Sequence, residues 1–196
     1  MAERKATVTR KTGETDITVT IDLDGTGKYD IDTGIGFFNH MLEGFAKHGF
    51  FDLTVKAVGD LEVDGHHTVE DCGIVIGKAI ADALGDKAGI KRFGYFILPM
   101  DDALALCSLD LSGRYYMDLE YDMNAELVGD FDTQLVREFF AAVAANAGMN
   151  LHIKTLAGVN DHHMIEAMFK AFAKSLDIAV SYDERIKGVL STKGSL

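Results

Sequence analysis

The feature that most constrains this chain is an internal repeat with a period of about 100 residues. The segment DIDT at 30–33 recurs as DFDT at 130–133. Each copy is followed by a predicted helix, by a predicted strand (DLTVKAVG, then NLHIKTLAG) and by the pattern His-His-x-x-Glu. A repeat of this length means that one supersecondary unit occurs twice. The chain is therefore expected to fold as two similar halves that share one site.

Hydrophobic spacing predicts the same order of elements in both halves, strand–strand–strand–helix–strand–helix. The predicted strands lie within 5–32, 50–64, 93–122 and 151–158, and the predicted helices begin at Gly36, His66, Thr133 and His162. The Gly-rich segment Asp24–Asp30 predicts a hairpin turn between two strands, and Gly49 predicts a helix end. The halves are predicted to divide near 86–92, so that domains 1–90 and 91–196 form one compact unit.

Composition limits the compartment and the partners. Lys and Arg number 19 against 31 Asp and Glu, a formal charge of −12. Such a chain is not drawn to a phosphate backbone, which argues against nucleic-acid binding. No apolar run approaches the roughly 20 residues of a membrane span, and the N-terminus has no signal-peptide core. Two cysteines do not make a disulfide framework. We expect a cytoplasmic protein that binds neither nucleic acid nor membrane.

The two His-His-x-x-Glu copies predict a pair of metal sites. Residues i and i+4 of a helix share one face, so His66 and Glu70 can bind one ion. His162 and Glu166 have the same spacing and can bind another. The same pattern at equivalent places in a repeat is a much stronger signal than any single histidine.

The second histidine of each pair, His67 or His163, points about 100° away from the first. Each is therefore expected to bind the ion of the other half, which gives every ion two imidazoles and one carboxylate. His40 and His152 remain as candidates for a third imidazole at each ion. His48 precedes a helix end, where a cation is favourable, and is not a candidate.

This ligand chemistry suits Mn, Fe, Co, Ni or Zn better than Mg or Ca, which prefer oxygen ligands. Three imidazoles and one carboxylate leave coordination positions open, as a metal that acts on a substrate requires. The chain contains no H-E-x-x-H, no P-loop and no dinucleotide-binding fingerprint after a strand. Metallopeptidase and nucleotide-binding classes are therefore not favoured.

Three segments carry a resemblance to a known family: DTGIGFFNHMLEGFAKHGFFDLTV, GDLEVDGHHTVEDCGIVIG and NDHHMIEAMFKAFAKSL. Over Ala6–Lys193 the chain resembles the monofunctional imidazoleglycerol-phosphate dehydratases, manganese enzymes of histidine biosynthesis. The resemblance implies an α+β fold, an internal duplication of two ferredoxin-like (βαβ-type) halves with helices packed on one face of each sheet. It also implies a homo-oligomer of 24 subunits whose neighbours complete the active sites.

The resemblance further implies the reaction and the roles of residues. Imidazole glycerol phosphate loses water to give imidazole acetol phosphate, through an imidazolate bound to two Mn²⁺ ions. The implied ligands are His40, His67, His162 and Glu166 for one ion and His66, Glu70, His152 and His163 for the other. The implied catalytic residues are Glu14, which moves protons at the substrate carbons, and the ligands Glu70 and Glu166. Glu14 also binds the substrate, whose phosphate is implied to contact Arg92, Arg114, Lys170, Ser191 and Lys193.

The chain departs from the family pattern at three positions, and two other functions stay open. Asn39, Gly44 and Tyr115 stand where many members have Asp, Gln and Pro. One alternative is a protein that stores metal without catalysis. Another is a ferritin-like di-iron oxidase, which would need four long helices and a carboxylate-rich site.

Overall fold

The structure, a computed structural model, describes residues 3–196. The first half contains β1 (Lys5–Lys11), β2 (Thr15–Asp22), β3 (Tyr29–Asp32), α1 (Gly36–Gly49), β4 (Asp52–Gly59) and α2 (His66–Leu84). The second half contains β5 (Phe93–Met100), β6 (Ala103–Asp110), β7 (Tyr116–Glu120), β8 (Leu127–Val128), β9 (Phe131–Asp132), α3 (Leu135–Ala147), β10 (Asn150–Ala157) and α4 (Asp161–Val180).

The two halves have one topology. Their four-stranded sheets have the orders β1-β2-β4-β3 and β5-β6-β10-β7. In each sheet the last two strands run parallel and are joined through a helix, while the others are antiparallel. The second half adds only the short β8–β9 hairpin. The predicted α+β duplication is confirmed, and a ferritin-like bundle is wrong for this chain.

The predicted hairpin at the Gly-rich segment is wrong. β3 does not pair with β2 but lies on the far side of β4. The connecting loop crosses the start of β4, where the Asp52 carboxylate accepts hydrogen bonds from the backbone N–H groups of Thr26 and Lys28. Gly25 allows this crossing, because a Cβ there would lie 2.3 Å from the Asp52 nitrogen. Glycines marked a close approach of two backbones, not a tight turn.

The four helices form a double layer between the two sheets. In β2, Ile17, Val19 and Ile21 are fully buried toward the helices, while the threonines between them face outward. Across the halves α1 packs on α4 and α2 packs on α3. Phe45 and Phe172 stack at 5.4 Å between ring centroids, which joins the two halves in one apolar core.

Helices α1 and α3 correspond residue by residue. Leu135 and Ala142 are buried in α3 only. The positions that are buried in both helices are Phe38, Met41, Leu42, Phe45, Ala46 and Gly49 in α1 and Val136, Phe139, Phe140, Val143, Ala144 and Ala147 in α3. The two sets match at a constant offset of 98 residues. In this register His40 corresponds to Glu138, so the second half has a carboxylate where the first half has an imidazole.

Three element boundaries differ from the sequence prediction. β4 ends at Gly59, and the residues up to Asp64 form turns instead of continuing the strand. Gly49, predicted as the residue that stops α1, is still part of the helix, and the left-handed residue that follows the helix is Phe50. α3 begins at Leu135, two residues later than predicted.

The division at 86–92 stays a prediction. The structure places this segment between α2 and β5, where backbone hydrogen bonds join Gly89 to Gly188 and Lys91 to Ser181. Among residues 3–196, no helix is both long and apolar enough to cross a membrane.

Candidate metal centre

The most compact group of metal-binding side chains lies where α1 meets α4. His40, on α1, and His162 and Glu166, on α4, offer ligand atoms that all lie within 4.8 Å of one another. The Glu166 Oε2 atom is 3.3 Å from His162 Nε2 and 3.7 Å from His40 Nε2. In the described chain this is the one cluster of three or more such groups. One chain thus supplies three of the four ligands predicted for this ion.

The two oxygens of the Glu166 carboxylate contact different groups. Its second oxygen accepts a hydrogen bond from Lys170 Nζ at 2.6 Å, one turn along α4. Burial by itself would raise the pKa of Glu166, but Lys170 and the two imidazoles outweigh it and hold the pKa below its ordinary value. The carboxylate is therefore charged and ready to bind a cation at neutral pH.

The equivalent place on α2 is more open. His66 Nε2 lies 3.9 Å from Glu70 Oε2, and both side chains are almost half exposed. The predicted pairing at i and i+4 is present, but the described part of the chain brings no third ligand to it. The open pocket beside His66 lies between the two halves and is lined by Ile35, Leu61, Phe131 and Leu135.

His67 points away from His66, toward the turn between β1 and β2. Its Nδ1 atom is 2.9 Å from Asp60 Oδ2, and its Nε2 atom is 3.9 Å from Glu14 Oε1. The hydrogen bond with Asp60 raises the pKa of His67 above 6.5. A carboxylate on Nδ1 leaves Nε2 as the nitrogen that is free to bind a metal.

His163 has the matching arrangement in the second half. Its Nδ1 atom is 2.6 Å from Asp102 Oδ1, and its Nε2 atom is 3.5 Å from Asp101 Oδ2. The hydrogen bond with Asp102 raises the pKa of His163. The imidazole and the backbone N–H groups of Asn160 and Val159 hold the pKa of Asp102 far below its usual range.

His152 lies on the opposite side of its sheet. Leu151 and Ile153, its neighbours in β10, are fully buried toward the helices. Side chains alternate between the faces of a strand, so His152 points outward. There it lies 3.5 Å from Asp118 and packs against Tyr116. The sheet therefore separates His152 from the metal ligands on α2 and α4 of its own chain.

The predicted phosphate contacts fall into two groups. Arg92 donates to the Asp110 carboxylate and to the Leu190 carbonyl, and it lines a surface pocket with Ser191. Lys193 belongs to the same exposed tail, whose last residue approaches Gly113, next to Arg114. Lys170 instead contacts the group of His40, His162 and Glu166, which we call the α4 cluster, through its bond to Glu166.

The three departures from the family pattern do not touch the imidazoles. Asn39 Oδ1 accepts hydrogen bonds from the backbone and hydroxyl of Thr33 and thereby fixes the start of α1. A Cβ on Gly44 would meet open space. Tyr115 is exposed.

Sequence reasoning missed the carboxylates that hold the second histidines. Asp60, Asp101 and Asp102 lie in loops that follow or join strands, and their partners are 7 to 62 residues away in the chain. The adjacent carboxylates in Pro-Met-Asp-Asp at 99–102 were the available signal, because a histidine that binds a metal commonly donates its other ring N–H to a carboxylate.

Comparison with known proteins adds independent information. The family model described as imidazoleglycerol-phosphate dehydratase matches residues 33–176. A protein of that name from Lachnoclostridium phytofermentans is 60% identical over 193 residues, which are 98% of each chain. Another, from Caldanaerobacter subterraneus subsp. tengcongensis, is 61% identical over 98% of this chain and 100% of its own.

Solved structures agree with these relatives. The crystal structure of imidazoleglycerol-phosphate dehydratase from Staphylococcus aureus is similar with a TM-score of 0.83 and 40% identity, over 91% of this chain and 99% of that one. The enzyme from Pyrococcus furiosus gives a TM-score of 0.84 and 38% identity, over 96% and 100% of the two chains.

Proposed function

Because the chain belongs to the imidazoleglycerol-phosphate dehydratase family, we propose that it dehydrates imidazole glycerol phosphate with two Mn²⁺ ions in each active site. Membership of this family makes the chain a hydro-lyase of histidine biosynthesis. It therefore argues against a protein that stores metal without catalysis. The α4 cluster is the observation that carries the metal part of the proposal.

The donor set of that cluster fits Mn²⁺. A charged carboxylate suits Mn²⁺, two imidazoles are ligands that divalent transition metals accept, and the ligand atoms are close enough for one ion. His40, His162 and Glu166 would hold this ion, with His67 as the fourth ligand. His66, Glu70, His152 and His163 would hold the other. Bound at these places, the metal supplies Lewis acidity to the imidazole nitrogens of the substrate.

Glu14 would move a proton at the substrate carbons. Its carboxylate is more than half exposed and stands beside His67, so it is accessible to a substrate whose ring lies at the metals. A general acid or base must lie within reach of the proton that it moves. Arg92, Arg114, Lys170, Ser191 and Lys193 would bind the phosphate, since cations offset its charge in an acidic protein.

The active site would be shared between copies of the chain in a homo-oligomer, for which we propose 24 subunits. His152 is the reason, because it lies on the outer face of its sheet and can reach ligands on α2 only in another copy. The same face exposes Phe93, Tyr95 and Ile97, an apolar strip of the kind that marks subunit contacts. We also propose a cytoplasmic location, since Cys72 and Cys107 are both free thiols.

The experiment is an assay of metal-stripped protein with imidazole glycerol phosphate, with and without added Mn²⁺, in which mass spectrometry follows the loss of water. We expect dehydration only with the metal. His162→Ala should abolish it at limiting Mn²⁺, whereas His48→Gln should not, because His48 lies in the last turn of α1 and is not a proposed ligand. Full turnover by the His162→Ala protein would contradict the proposal.

A further inference from the structure

A buried carboxylate that the mechanism does not use is bonded to the strands on both sides of Glu14, the proposed proton-transfer residue. Asp71 follows the predicted ligand Glu70 on α2, and its side chain is only 8% exposed. Its Oδ2 atom accepts a hydrogen bond from the Thr15 hydroxyl and forms an ion pair with the Arg10 guanidinium. A buried charge needs such partners, and they both come from the β1–β2 hairpin.

This hairpin carries Glu14 at its turn. Within the turn, the Thr12 hydroxyl accepts hydrogen bonds from the backbone N–H groups of Glu14 and Thr15. On the other side, the backbone N–H of Asp60 donates to the Glu14 carbonyl at 3.1 Å. These hydrogen bonds therefore hold the backbone of Glu14 and Thr15 in place, while the Glu14 carboxylate stays exposed beside His67.

Asp71 lies four residues after His67, so the two share one face of α2. The face that directs His67 toward Glu14 thus also anchors the strand that precedes Glu14 and the residue that follows it. A movement of the turn relative to α2 would change the distance between Glu14 and the His67 imidazole.

The duplication provides an internal comparison. With the offset of 96 residues between the two His-His-x-x-Glu copies, Asp71 corresponds to Ala167 on α4, which is fully buried. The second half has the same topology, and the fold thus forms there without a buried ion pair at this place. In the first half the ion pair joins α2 to the strands next to Glu14, which indicates a role in positioning Glu14.

We infer that Asp71, with Arg10 and Thr15, is a positioning residue for Glu14: it anchors the β1–β2 turn to the face of α2 that carries His67. The inference rests on the proposed role of Glu14 in the dehydration. Among the described residues, Arg10 and Thr15 form no side-chain hydrogen bond or ion pair with a predicted metal ligand, so changes to them separate positioning from metal binding.

The test is a double-mutant cycle on turnover with Arg10→Met and Glu14→Gln, at saturating Mn²⁺. Displacement of a catalytic group by about 1 Å can cost on the order of 100-fold, so Arg10→Met should lower kcat by about 10- to 100-fold. In the Glu14→Gln background the same change should lower kcat less than about 3-fold, because nothing is left to position. Lys11→Met is the matched control, since Lys11 pairs with Asp16 on the exposed face of the same hairpin.

Amide hydrogen exchange of the metal-free protein gives a readout that does not depend on activity. The Asp60 amide should exchange faster in Arg10→Met than in the wild type and Lys11→Met, because it donates to the Glu14 carbonyl. Thr15→Val should act in the same direction and Thr15→Ser should restore the wild-type behaviour, which covers the case in which Arg10→Met does not fold.

Equal losses of kcat in both backgrounds, or unchanged exchange at Asp60, would overturn the inference. A fall in Mn²⁺ affinity of the Arg10→Met protein would also overturn it, since the effect would then be on the metal site. If the wild type itself shows no Mn²⁺-dependent dehydration, the proposed function fails, and with it the role that this inference assigns to Asp71.

Discussion

The two His-His-x-x-Glu helices begin alike and meet different surroundings. In both, the first histidine faces the glutamate one turn later, and the second histidine places Nδ1 on an aspartate. At α4 the glutamate is buried, bonded to Lys170 and joined by His40. At α2 the glutamate is half exposed, and position 74, which corresponds to Lys170, is an isoleucine.

The difference follows from the packing of the halves. α1 brings His40 to α4, whereas α3 carries Glu138 at the corresponding position. Three of the four ligands proposed for one ion are thus brought together by the contact between the halves of a single chain. The other has His66 and Glu70 on α2, and one of its two further predicted ligands, His152, lies on the outer face of the sheet in the second half. Under the proposed function, the site on α2 therefore depends on another copy of the chain, whereas the site on α4 does not to the same degree.

Glu166→Gln and Glu70→Gln test this contrast most strongly. Each should weaken Mn²⁺ binding by more than about 100-fold, beyond the loss typical of an outer-shell change. Only Glu166→Gln should also destabilise the metal-free fold, by about 1–3 kcal/mol, because it leaves Lys170 without a buried counter-charge. Titration with Mn²⁺ and urea unfolding measure the two effects. Equal unfolding free energies for the two variants would remove the contrast between the sites.

Asp102→Asn and Asp60→Asn test what the two sites share. Each change weakens the acceptor that orients a second histidine, so each should lower Mn²⁺ affinity by about 10- to 100-fold. Asp118→Asn is a useful comparison, because Asp118 lies 3.5 Å from His152 and should have a weaker effect. Isothermal titration of the metal-free proteins provides the affinities. An unchanged affinity in Asp102→Asn would show that His163 is not held for metal binding.

The outer faces of the two sheets should differ in association. On the first sheet Thr7 pairs with Thr20 and Thr9 with Thr18, a polar surface. On the second, Tyr95 is 72% exposed within an apolar strip. Tyr95→Ser should weaken subunit association by about 10-fold or more, while Thr20→Ala should not, as sedimentation velocity over a concentration series would reveal. An unaltered assembly in Tyr95→Ser would place the contact elsewhere.

The smallest expected effect is a change of pH dependence. His67 and His163 have pKa values raised above 6.5 by Asp60 and Asp102. In the metal-free protein these pairs stabilise the fold fully below pH 6.5, and their contribution is lost as the pH rises through the raised pKa. Metal binding runs the other way, since it needs neutral imidazoles and weakens as the pH falls. NMR titration should find both pKa values lowered by the corresponding Asp→Asn change, and no shift would contradict the assigned pairs.

Much of this molecule could be predicted from local patterns. The repeat gave the two halves, and apolar spacing gave the helices that begin near His66 and His162. The sheet order could not be obtained in this way, because the loop at Gly25 and Gly27 has a turn-like composition whatever strand follows it. Its path depends on Asp52, which lies in a distant part of the chain.

The contacts within the candidate site were likewise predictable where they are local and not where they depend on distant loops. The i, i+4 spacing predicts that His66 meets Glu70 and His162 meets Glu166, and both pairs are present. The partners of the second histidines depend on how loops pack, as the contact of His163 with Asp102 across 61 residues illustrates. The outward direction of the His152 side chain could have been predicted from the sequence, because His152 alternates with the apolar Leu151 and Ile153 in one strand.

The central claim is that His152 of one copy completes the site that begins with Glu70 of another. The direct measurement mixes two inactive variants, His152→Ala and Glu70→Gln, unfolds and reassembles them together, and assays dehydration. Sites shared between copies should recover about a quarter of the wild-type activity in an equal mixture, because intact ligand sets form at random. If both residues serve one site within a single chain, every site carries a defect and the mixture stays as inactive as its parts.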